Sequence, residues 1–192
     1  METARDRLKL LLRHLDRTED APVLNCLRDL YPRLQTAPAS AKQQYYAAYP
    51  GGLLDHMLTV AEMAIEMRCG QQADIPERSI VKAALLHDIG KVGDADSPYF
   101  IPVESTWLRE RGHLFDVNPA LTPMTLPFRT AWWLARYAVQ LSPAEWQASM
   151  YCSVWATDAW QTIQYYEDPL TLLVASAKTY ATRASQQPMA RR

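Results

Sequence analysis

Apolar residues in this chain recur at intervals of three and four almost from end to end. Leu8, Leu11, Leu12 and Leu15 form one series, and Val23, Leu24, Leu27 and Leu30 form a second that Pro32 is expected to close. A polar stretch from Thr36 to Tyr49, opened by Pro38 and closed by Pro50-Gly51-Gly52, reads as an ordered loop. The next helix is predicted from Leu53 to Cys69, stopping at Gly70. Asp55, Glu62 and Glu66 mark its charged side, and Leu53, Met57, Val60, Ala61, Ala64 and Met67 its apolar side. On a helical wheel His56 falls within about 60° of Leu53, Val60, Met63 and Met67, so it points inward or at the edge of the buried stripe.

Asp74-Ile75-Pro76-Glu77 starts a helix with proline near its first turn. That helix carries Ile80, Val81, Ala83, Ala84, Leu85 and Leu86 to His87-Asp88, and its lack of polar surface predicts the most buried position in the fold. Residues 93–127 hold Pro98, Pro102, Pro119 and Pro123 and are read as irregular, with one short amphipathic piece near Trp107. Three helices are predicted after it: 128–140, 143–163 with Ser142 as N-cap and Pro143 at the first position, and 168–185. No repeat and no alternating strand pattern is present, so the expected fold is all-α, a bundle of about six to eight helices. The expected organisation is one domain over residues 1–192. It has N-terminal helices (1–35), a motif-bearing core (36–92), a long loop (93–127), C-terminal helices (128–185) and a frayed tail (186–192).

Composition narrows the class. Twenty basic against twenty-one acidic residues give a net charge of -1, which argues against strong electrostatic binding of nucleic acid. Cys26, Cys69 and Cys152 show neither metal-type spacing nor a disulfide framework, as in a reducing cytosol. No apolar run approaches the roughly 20 residues that span a bilayer, and the charged N-terminus lacks a signal-peptide core. A soluble cytoplasmic protein is expected. Trp132-Trp133, Tyr137, Trp146, Tyr151, Trp155, Trp160 and Tyr165-Tyr166 crowd the C-terminal half. A protein contact through them, a homodimer or another partner, is favoured over stacking on bases.

The chemistry lies in Leu85-Leu86-His87-Asp88-Ile89-Gly90-Lys91 and in Gly51-Gly52-Leu53-Leu54-Asp55-His56. Adjacent His and Asp cannot share one face within a helix, but at a terminus that breaks at Gly90 both can turn toward one point. With His56 they offer two imidazoles and a carboxylate, a donor mixture that divalent cations of the zinc, iron and manganese type accept. The competing reading is two hydrogen-bonded core histidines. Lys91 just after a helix end can equally complement the helix dipole, and Asp94 and Asp96 are expected to be solvated loop acids.

Pro50-Gly51-Gly52-Leu53-Leu54-Asp55-His56 followed by Ala84-Leu85-Leu86-His87-Asp88-Ile89-Gly90-Lys91 resembles the HD-domain superfamily of metal-dependent phosphohydrolases, in particular a branch common in phages and other mobile elements. The resemblance covers residues 34–92 well and the C-terminal helices in outline. It implies a helical fold and one or two divalent metals (manganese, iron, zinc or magnesium) held by a first His, the His-Asp pair and a later Asp, with hydrolysis of phosphoesters, often of nucleotides. His56, His87 and Asp88 match three of those ligands, and Lys91 matches the basic residue that can hold a substrate phosphate. The fourth position falls on Lys178, in Leu172-Leu173-Val174-Ala175-Ser176-Ala177-Lys178. Histidines that bind a second metal in relatives correspond here to Tyr46, Pro127 and Cys152. Asp158 and Asp168 are the substitute fourth ligands to weigh, and His113 has no counterpart.

Two functions follow. One is a metal-dependent phosphohydrolase acting on a nucleotide or short oligonucleotide, with one metal on His56, His87 and Asp88 and with Asp88 and Lys91 as the catalytic pair. The other is a catalytically degenerate HD domain, without metal, that binds a nucleotide or a protein. The sequence favours the first narrowly, because three ligands suffice for a catalytic metal in other scaffolds. The position of Lys178 decides between them.

Overall fold

A computed structural model describes residues 3–70, 74–152 and 163–184 of the chain. Among these the architecture is helical. It comprises α1 (Ala4–Leu11), α2 (Ala21–Leu34), α3 (Gly52–Arg68), α4 (Glu77–Leu86), α5 (Thr106–Glu110), α6 (Leu126–Arg136), α7 (Pro143–Tyr151) and α8 (Pro169–Ala184). Short 3-10 turns cover Leu12–His14 and Ile89–Val92. Among the described residues no helix is long and apolar enough to cross a membrane.

The local signals explain most of the boundaries. Thr3 caps α1 by accepting the Asp6 N–H at 3.2 Å, and Ser142 and Glu145 form a reciprocal capping box at the start of α7. Asp168 accepts the Leu170 N–H at 2.9 Å and so caps α8, which removes it from the candidate ligands. Pro32 does not end α2. It stands inside the helix and forfeits the one bond its missing N–H would make, yet the helix runs on to Leu34 and Gln35 N–H still reaches the Tyr31 carbonyl at 3.0 Å. The helix expected over 143–163 is described as far as Tyr151; the rest of that span, with Trp155, Asp158 and Trp160, lies outside the described residues.

The segment 93–127 is more ordered than the sequence suggests. Phe100–Pro102 (β1) pairs antiparallel with Phe115–Val117 (β2), in register Ile101 to Asp116, and α5 fills the connection. Strands of three residues are too short to display an alternating pattern, so this hairpin leaves no periodic signal in the sequence.

α4 occupies the centre, with Ile80, Val81, Ala83, Ala84, Leu85 and Leu86 all excluded from solvent. Each such Leu or Ile contributes about 2 kcal/mol on burial. α3 packs against α4 and α8, and α7 against α4 and α8, so the ends of α3 and α4 and the middle of α8 are brought together. A buried ionic cluster that the apolar pattern hides lies on the other side of α4. There Lys82 pairs with Glu145 at 2.6 Å and lies 3.7 Å from Asp20, which also receives Arg78 at 2.7 Å.

Past α4 the chain turns sharply onto α6. Gly90 N–H donates to Thr130 Oγ1 at 3.2 Å, and a Cβ at residue 90 would stand 2.9 Å from both the Leu126 carbonyl oxygen and the Thr130 nitrogen. Backbone cannot yield as a side chain does. Gly90→Ala is therefore expected to cost about 2 kcal/mol and to lower Tm by about 5 °C in thermal denaturation.

Candidate metal centre

Each of the three histidine and aspartate side chains is delivered by a different local device. Gly51 holds φ +85°, and a Cβ on Gly52 would overlap the Ala47 carbonyl oxygen. The Gly51-Gly52 pair thus lets the 36–50 loop fold tightly back against the start of α3, where Leu53 N–H donates to the Ala37 carbonyl at 3.0 Å. His56, one turn into α3, then lies beneath that loop, its ring 4.5 Å from the ring of Tyr46. His87 is the C-terminal cap of α4, and Asp88 leaves the helical conformation (φ -115°, ψ 12°), which swings its carboxylate back beside the imidazole.

His56, His87 and Asp88 are all buried and each offers one donor atom within 4.8 Å of the others. Asp88 Oδ2 lies 3.5 Å from His87 Nε2 and 4.0 Å from His56 Nε2. The His87 Nδ1–H donates to the Ala84 carbonyl at 2.7 Å, which fixes the ring and leaves Nε2 as a lone pair facing Asp88. Among the described residues neither Nε2 has a hydrogen-bond partner. Burial pushes both imidazoles toward the neutral form, His87 to about 4 and His56 well below 6.5, so the short approaches to Asp88 are not salt bridges.

Two ammonium groups complete the cluster. Lys91 Nζ donates to Asp88 Oδ2 at 2.7 Å and to the Tyr46 hydroxyl at 2.8 Å. Lys178, from the middle of α8, reaches Asp88 Oδ1 at 3.1 Å. Burial alone would raise the Asp88 carboxyl, but Lys178 and Lys91 outweigh it and hold it well below 3.8. For Lys91, the pull of Asp88 overcomes desolvation and keeps the ammonium charged. Among the described residues, one carboxylate therefore faces two ammonium groups.

The spacing and the chemistry of the donors fit a divalent ion; the charge does not. A dication bound to Asp88 Oδ2 at about 2.1 Å would stand within about 5 Å of Lys91 Nζ, a repulsion of about 7 kcal/mol at an effective dielectric of about 20. The other carboxylate oxygen is taken by Lys178. Among the described residues, the two ammonium groups on Asp88 thus oppose a divalent cation, while the three donors fit one.

The remaining expectations divide. The structure brings Lys91 and Lys178 to Asp88, whereas Asp158 is outside the described residues. His113 pairs with Asp116 at 3.0 Å and His14 with Glu77 at 2.9 Å, both away from the cluster. Asp94 accepts the Ser97 N–H at 3.1 Å within a turn that Arg33 clamps through the carbonyls of Val92, Asp94 and Ser97. Exposed Asp96 lines a cleft of about 190 Å³ with Arg33, Thr36, Lys91, Tyr99 and Phe100. Tyr46 is the site member that sequence reasoning missed. It registered only as a position where relatives carry a metal-binding histidine, and that correspondence was itself the available signal.

No match is found among curated proteins or among solved structures. A family model for the HD domain matches residues 53–175, from the first turn of α3 through His56, His87 and Asp88 into α8, and ends just before Lys178. The chain belongs to the HD domain family, whose members are generally metal-dependent phosphohydrolases.

Proposed function

We propose that this chain is an HD domain that binds a phosphate-bearing ligand, of the nucleotide class, without a catalytic metal. One observation carries the reading: Lys178 and Lys91 engage both oxygens of Asp88, so that among the described residues two ammonium groups stand beside one carboxylate, where an anion can be drawn in. The cleft beside Lys91, with Tyr99 and Phe100 on its wall, is the natural approach for such a ligand. A protein partner is compatible with this role, since Phe128, Tyr165 and Tyr166 expose 70%, 86% and 83% of their surface.

A second reading is the metal-dependent phosphohydrolase, acting on a nucleotide or short oligonucleotide. It is favoured by the two buried Nε2 lone pairs, since leaving each unpaired costs about 1–3 kcal/mol. His56, His87 and Asp88 would hold the ion, and Lys91 would face the phosphate.

Calorimetric titration with nucleoside mono- and diphosphates in the presence of a chelator separates the two. Binding without metal is expected, weakened about tenfold or more in Lys91→Met, the loss of one charge-assisted contact. Binding that appears only on adding a divalent ion, or turnover of the nucleotide, would favour the hydrolase instead.

A further inference from the structure

The two N-terminal helices leave an open trough with an apolar floor and a basic rim. α1 packs chiefly on α3. Leu8 and Leu12 on one side, and Leu24, Leu27 and Tyr31 on the other, line a hollow of about 290 Å³ between α1 and α2. A second hollow of about 470 Å³ takes in Leu15 and shares Lys9, Leu12 and Leu24 with the first. Among the described residues, every charged side chain lining the two is a cation: Arg5, Lys9, Arg13, Arg17 and Arg28. All of them are exposed.

On a chain whose overall charge is -1, cations gathered along one trough are a local feature. The acidic side chains of the same region are engaged elsewhere. Asp16 accepts the Thr18 and Glu19 N–H groups, both at 2.8 Å, while Glu19 and Asp20 hold Arg78. Lys9 and Arg28 each have an acidic neighbour on their own helix, Asp6 at 3.4 Å and Asp29 at 3.0 Å, but exposed pairs of this kind contribute little. For Arg5, Arg13 and Arg17 the described residues supply no carboxylate. The floor suits apolar side chains and the rim suits carboxylates. We propose that the trough between α1 and α2 docks an acidic amphipathic helix of a partner protein, its apolar side chains on the leucine floor and its Asp and Glu facing Arg13 and Arg17. α1 and the 3-10 turn after it extend about 16 Å, room for about three turns of such a helix. A bilayer is too flat to reach the floor of a trough, and nucleic acid brings charge without apolar side chains. The trough shares no lining residue with the cleft beside Lys91, so this surface is independent of the function proposed above.

Fluorescence anisotropy of a labelled synthetic peptide, titrated with the whole chain at low salt, tests the surface. The probe is a helix of about 14 residues with leucines three and four apart on one face and glutamates on the other. Saturable binding is expected, with Kd on the order of 10 μM and about tenfold weaker in Arg13→Glu with Arg17→Glu. Both positions are exposed, so the Tm of that variant should match the unaltered protein. Should it not, Arg13→Gln with Arg17→Gln removes the charge without reversing it and should weaken the peptide about threefold. A scrambled peptide of the same composition has no apolar face and should bind about tenfold more weakly. No saturable binding, equal binding of the scrambled peptide, or binding indifferent to the substitutions would overturn the proposal. So would tighter binding of phosphatidylserine vesicles or single-stranded RNA through the same arginines, or a dimer of this chain that the same substitutions dissolve.

Discussion

Replacing Lys178 with aspartate is expected to turn a cluster without metal into one that binds about one equivalent of a divalent transition metal, read by elemental mass spectrometry after dialysis. The substitution removes an ammonium from Asp88 Oδ1 and adds a carboxylate on the same helical turn of α8, so the cluster becomes more negative by about two charges. The two Nε2 lone pairs and the Asp88 carboxylate already have suitable spacing, within 4.8 Å of one another. Among the described residues the two ammonium groups oppose an ion, and relief of repulsion on the order of several kcal/mol is worth several powers of ten in affinity. Lys178→Met is the graded control: it removes the competing charge without adding a donor and should bind metal more weakly. A folded Lys178→Asp protein that takes up no metal would show that charge is not what keeps the ion out.

Asp88→Ala is expected to destabilise the protein by about 4 kcal/mol, as measured by denaturant unfolding. In a site built around an ion, removing a ligand mainly costs the ion. Here Asp88 receives two ammonium groups, buried Lys91 and partly buried Lys178, and truncation removes the carboxylate both of them engage. Lys91 keeps the Tyr46 hydroxyl, a neutral acceptor that cannot replace a charge. The decisive variant adds Lys91→Met and Lys178→Met to Asp88→Ala. If the three charges form one unit, removing all of them should recover most of the loss, because an apolar replacement of a buried ion group is often neutral or better. A single Asp88→Ala variant as stable as the unaltered protein would contradict this account.

Much of the architecture was legible because it rests on periodicity. The apolar faces of α3, α4 and α8, the Ser142 cap and the inward direction of His56 follow from residue spacing alone, as does the convergence of His56 on His87-Asp88 once α4 is central. The β1–β2 hairpin was not legible, since three-residue strands carry no alternation, and Pro32 misled because burial of Leu30 and Leu34 on either side of it carries α2 past the one amide bond it lacks. The Lys82, Asp20 and Glu145 cluster was hidden for a different reason: each residue looks like ordinary helix surface until tertiary packing buries it. At the site, the sequence exposed the question of Lys178 but leaned narrowly to the hydrolase. Whether that ammonium turns toward Asp88 or toward solvent depends on how α8 docks against α3, which residue order does not specify.

The most direct test is the metal content of the unaltered protein, purified and then incubated with manganese, iron, zinc or magnesium, beside a His87→Ala control. The account predicts no stoichiometric metal in either protein, because Lys91 and Lys178 already engage Asp88, the one carboxylate that joins the two histidines among the described residues. About one equivalent in the unaltered protein, lost in His87→Ala, would contradict it and return the cluster to the hydrolase reading.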